Sequence, residues 1–160
     1  HSTWLSGPGG AFQPDEKIAS DIVAAGIAVC TANTHNWRPI AARFGAERAQ
    51  QIVGRVQWLA EQGVRLITGT DAGMAPFDNF PAALQGFARW DFTAERIIEM
   101  ATVDTADALG LASTTGQLAA GLAADLLVLS GNPLRDITAL GQLELVIAAG
   151  RLHRPAPVPL

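Results

Sequence analysis

The apolar positions of the chain change their period several times, and each change predicts an element. After Pro14-Asp15, Ile18, Ile22 and Val23 recur at helical spacing until Gly26 stops them. Ile27 to Thr31 is then a short apolar run, the pattern of a strand buried on both faces. A polar loop through Asn33 to Pro39 leads to a long helix with Ala49, Ile52, Val53, Val56, Leu59 and Ala60 on one side. Gly63 is placed to end that helix in the left-handed conformation. Val64 to Thr68 reads as a second strand, and it runs directly into Gly69-Thr70-Asp71-Ala72-Gly73. Asn79 and Pro81 mark another helix start, with Phe80, Leu84 and Phe87 on one side. Thr93 with Glu95 begins a further helix through Ile97, Ile98 and Ala101, and a short helical turn ends at Leu109-Gly110-Leu111.

From Thr114 the pattern becomes Gly-rich turns and short strands. Asp125 to Ser130 and Leu143 to Ala148 read as strands, and Ala149-Gly150 as a hairpin turn into Arg151-Leu152-His153. The Pro-rich tail from Arg154 to Pro159 cannot continue a ladder. Alternating strand and helix implies parallel strands with helical crossovers, so the first part reads as α/β. The closing part reads instead as a small antiparallel sheet. The boundary falls near Ala112 to Gly116, giving units of 1–112 and 113–160, and there is no internal repeat.

Composition narrows the classes. With 49% hydrophobic and 16% charged residues, the chain can bury enough surface to offset the entropy of ordering. A domain of ~150 residues buries about 70% of its unfolded surface, so one sizeable core is expected. A net charge of -4 leaves no excess of cations for nucleic acid or an anionic membrane. No apolar run reaches the ~20 residues of a membrane span. The one cysteine, Cys30, allows no internal disulfide and fits a reducing compartment, which favours a cytoplasmic location. The chain begins His1-Ser2-Thr3-Trp4 with no Met and no signal-like stretch, so an upstream part is expected to be missing.

In α/β architectures the functional loops follow the C-terminal ends of strands. That rule singles out Asp71. Small neighbours let its carboxylate approach a metal or a substrate closely, and next to a metal-bound water it could accept a proton and pass it to a leaving nitrogen. The alternative is a capping or Asx-turn aspartate. His1 carries an imidazole, the commonest nitrogen ligand of zinc, at the position where a preceding strand would end. His35 lies on the loop after the first strand, and Met74 on the loop after Asp71; both are candidates for substrate contact. Trp4 and Trp37 could line the same rim. Cys30 is expected to be an inert core thiol and Trp58 and Trp90 packing residues, while His153 is assigned no chemistry. Phosphate-binding and dinucleotide loops and a serine elbow are absent.

Three pieces in order carry a resemblance: Ile67-Thr68-Gly69-Thr70-Asp71-Ala72-Gly73; Ala106-Asp107-Ala108-Leu109-Gly110-Leu111 with Gly116-Gln117-Leu118 and Gly121; and Ala124 to Leu129 with Gly131-Asn132-Pro133-Leu134, Val146-Ile147 and Gly150-Arg151. Together they resemble the amidohydrolase superfamily, specifically its imidazolonepropionase-like and prolidase-like branch. The resemblance implies the C-terminal part of a TIM-type (β/α)8 barrel over 1–112. Residues 113–160 are then the C-terminal strands of a small flanking β-sandwich. His1 matches the histidine ending the sixth barrel strand, and Asp71 the metal-binding aspartate after the eighth. The family's His-x-His pair, bridging lysine and further histidine have no counterpart here, so a C-terminal fragment is implied, catalytically incomplete alone. Thr102-Val103-Asp104-Thr105 stands where the family commonly has an Asn-Pro pair. The implied activity is hydrolysis of a carbon–nitrogen bond, amide or cyclic amide, with one or two divalent ions, zinc being the one expected, and a small amide or dipeptide-like substrate. A homo-oligomer is compatible with this. Deamination on the same scaffold and a non-catalytic interaction module are the alternatives.

Overall fold

A computed structural model describes residues 12–31, 42, 45–70, 72 and 80–155. Helix α1 (Glu16–Ala24) starts where Asp15 accepts a hydrogen bond from the Ile18 amide, satisfying one of the amides that a helix start leaves orphaned. It ends at Gly26, φ +65°, with Ile27 N bonded to Ile22 O and Gly26 N to Val23 O. Helix α2 (Ala46–Glu61) ends the same way: Gly63 has φ +76°, Val64 N bonds Leu59 O and Gly63 N bonds Ala60 O. This double closure needs a left-handed residue, which glycine adopts without steric cost. In both cases an apolar residue follows, and three residues past the glycine a strand begins.

Those strands are β1 (Val29–Cys30) and β2 (Leu66–Ile67). They pair in parallel, Val29 with Leu66 and Cys30 with Ile67. Val29 N bonds Arg65 O at 2.9 Å and Thr31 N bonds Ile67 O at 3.2 Å. Ladders are shorter than the predicted runs Ile27–Thr31 and Val64–Thr68, because among the described residues each strand has a single neighbour and a strand needs one to be a strand. For the same reason only one face is fully covered. Val29 and Leu66 are buried, whereas Cys30 and Ile67, on the opposite side by the two-residue alternation, are half-buried. Cys30 is therefore not the enclosed core thiol expected.

Helices α3 (Phe80–Phe87), α4 (Ala94–Ala101) and α5 (Val103–Ala108) follow, with a 3-10 turn at Ala88–Trp90. Thr93 caps α4, accepting from Arg96 N at 3.2 Å. Thr102, at the break between α4 and α5, bonds back to Ile98 O, and Thr105 to Met100 O. Both helices lie against β2. Phe87 contacts Trp90 and Phe92 edge to face, with ring centroids 5.8 and 5.5 Å apart. Leu59, Leu66, Phe87, Ile97 and Met100 are fully buried, each contributing roughly 1.5–3 kcal/mol. Trp90 is buried and Trp58 half-buried as packing residues, the latter edge to face with Phe12. In α1 the inward stripe is Ala19 and Ile22. Ile18 and Val23 are 48% and 43% exposed, because the core at this point admits a small side chain.

The closing segment forms an antiparallel sheet in the order β3 (Leu126–Leu129), β4 (Leu143–Ala148) and β5 (Arg151–His153). Ala149 and Gly150, φ +49° and +74°, make the two-residue turn between β4 and β5, whose twist matches the strands. Asp125 ties this turn to β3 by accepting from Ala149 N at 2.7 Å. The segment joins the main core through a 3-10 turn, Ile137–Gly141, which packs on α3 and buries Ile137 beside Phe87. Asp136 caps that turn. Its carboxylate accepts from the Thr138 hydroxyl and amide, and these bonds hold its pKa below the ordinary value. Gly116, φ +102°, is where the segment passes over α5. A Cβ there would lie 2.5 Å from that of Ala106.

Register puts Leu126, Ile147 and Leu152 side by side on one sheet face, and alternation adds Val128 and Leu145. Leu152 is 61% and Val128 41% exposed, so this apolar face is incompletely covered. Expressed alone, the chain is therefore expected to self-associate, since monomers rarely present such a surface; a sharp monomer by sedimentation with a cooperative melt would contradict this. Gly63 and Gly116 separate two kinds of glycine requirement. Gly63→Ala meets open space and should cost about 1–2 kcal/mol of left-handed strain. Gly116→Ala adds a collision with α5 and should lower the denaturation midpoint further; equal losses would refute the close approach.

Candidate functional site

Parallel pairing brings the C-terminal ends of β1 and β2 to one edge. There Ile67 O accepts from both the amide of Thr31, at 3.2 Å, and its hydroxyl, at 3.4 Å. Thr31 is buried, at 4% exposure, and Thr68, Gly69 and Thr70 are half-buried as the chain leaves β2. The loops carrying positions 35 and 71 thus start from neighbouring strands of a covered pair, which fixes where both begin. His1, His35, Asp71 and Met74 themselves lie outside the described residues, as do Trp4 and Trp37. His153 is exposed on β5, in the other sheet, where it pairs with Val146.

The sequence reading did not single out Thr68. Its Oγ1 is buried and has no hydrogen-bond partner among the described residues. A buried hydroxyl left unpaired costs about 1–3 kcal/mol. The only available signal was a polar residue closing an otherwise apolar run.

Charged residues gather at the other end of β2. Arg65 pairs with Asp107 of α5. Arg96 hydrogen-bonds Glu99 at 3.0 Å and lies 2.6 Å from Asp104 Oδ2 as an ion pair without hydrogen-bond alignment. A cavity of about 380 Å³ beside Val64, Arg65, Phe92 and Arg96 opens here, but these cations already face carboxylates and it lies at the N-terminal end of β2. Arg55 of α2 is 4% exposed, and desolvation holds its guanidinium below the usual pKa. A second hollow, about 460 Å³, is lined by the largely apolar turn from Gln117 to Ala124 and offers no chemistry.

Among the described residues no three His, Cys, Asp or Glu side chains come together in a way that could hold a metal ion. The residues expected from the sequence to bind a metal are His1 and Asp71. An imidazole and a carboxylate are donors that zinc accepts, yet they are two of the four it normally takes. Among the described residues no helix is long and apolar enough to cross a membrane.

Comparison with known proteins agrees with this geometry. No curated protein matches the chain. Among solved structures it is similar to a Xaa-Pro dipeptidase with methionine bound in the active site, with a TM-score of 0.78 and 24% identity, covering 88% of this chain and 38% of that one. It is also similar to the ochratoxinase of A. niger, with a TM-score of 0.73 and 24% identity over 91% and 36% of the two chains. A candidate prolidase from Bifidobacterium longum gives 0.67 and 29% over 83% and 37%. The chain therefore spans well under half the length of these relatives. Its mixed α/β architecture is shared with part of each. The model of the amidohydrolase family matches residues 1–152 of the 160, and the chain belongs to that family.

Proposed function

We propose that this chain supplies the aspartate-bearing part of a metal-dependent amidohydrolase, and that the whole enzyme hydrolyses a carbon–nitrogen bond in a small amide or dipeptide-like substrate. The observation that carries the reading is the family match over residues 1–152, which includes Asp71, four positions after the last residue of β2 in the sequence. In this reading residues 1–112 belong to a (β/α)8 barrel and 113–160 to a flanking β-sandwich. The likeness to a dipeptidase and to a prolidase crystallised with N-methylphosphonate-L-proline supports the substrate class.

Asp71 would ligate a divalent ion, with His1 as a further candidate donor, zinc being suited to both, and residues outside this chain would complete the set. When bound, such an ion polarises the carbonyl and lowers the pKa of water toward ~7. Asp71 takes the proton of the attacking water on its carboxylate and returns it to the departing nitrogen. His1 would ligate a second ion or, in a site with one ion, hydrogen-bond the attacking water. His35 and Met74 contact substrate from the two loops. The glycines and small residues around Asp71 keep bulk away from the carboxylate, and the β1–β2 pair gives its loop a fixed base.

In the full-length enzyme, Asp71→Asn keeps the shape and removes the base. It is expected to lower kcat by about 10²–10⁴, the usual worth of general acid–base catalysis. Near wild-type amide hydrolysis by that variant would overturn the assignment. The 160-residue chain by itself offers two candidate ligands, so elemental analysis after dialysis should find no stoichiometric zinc. One tightly held zinc per chain would show instead that the donor set is already complete.

A further inference from the structure

We draw no further inference here: the strongest candidate, the incompletely covered apolar face of the β3–β4–β5 sheet where Leu126, Ile147 and Leu152 stand side by side, carries nothing because nothing in the structure shows what covers it.

Discussion

Two parallel strands can be joined only by a chain that leaves one end of the sheet and crosses back to re-enter at the opposite end, and most of the described structure follows from meeting that demand. The return path between β1 and β2 includes α2, whose buried residues Val56 and Leu59 join Val29 and Leu66 in one core. The position at which α2 stops decides the register, since Val64 and Arg65 must reach the level of Val29. Double closure at Gly63 makes that stop sharp, and the same closure at Gly26 places the start of β1. Helix termination and strand alignment are therefore one event seen from two elements. Their common result is an edge where both strands end and the chain leaves toward positions 35 and 71.

The covering helices complete one side of this pair only. Leu66 shares the core with Ile97 and Met100 of α4, and α5 also lies against β2, while Ile67 and Cys30 stay half-buried on the other side. The closing sheet has a similar asymmetry. It is attached through Ile137 and Gly116, while the row Leu126, Ile147 and Leu152 is left incompletely covered.

Polar groups follow the same logic of position. Arg65, Arg96, Asp104 and Asp107 neutralise one another at the N-terminal end of β2, where no candidate catalytic residue lies. Exposed or partly exposed pairs of this kind contribute little to stability, on the order of 0–1 kcal/mol each, and serve mainly to fix how α4 and α5 lie on the strand. At the C-terminal end the polar atoms are hydroxyls and main-chain groups, with Thr68 left unpaired among the described residues.

Much of this was legible in the sequence. Helix starts at Asp15 and Thr93, stops at Gly26 and Gly63, and the Ala149-Gly150 hairpin are local matters, settled by capping chemistry and by the sign of φ within a few residues. The candidate aspartate was legible too, because a carboxylate between small residues directly after an apolar run is a local pattern. Lateral relations were not. That Ala19, and not Ile18, enters the core depends on what lies opposite α1, and the two-residue length of each parallel strand depends on a partner far away in sequence. The closeness of Gly116 to Ala106 and the isolation of the Thr68 hydroxyl likewise arise between segments. Capping, turn formation and periodicity act over a few bonds and can be read from composition in order. Burial, register and unsatisfied polar atoms are properties of pairs brought together by packing, so only the tertiary structure could decide them.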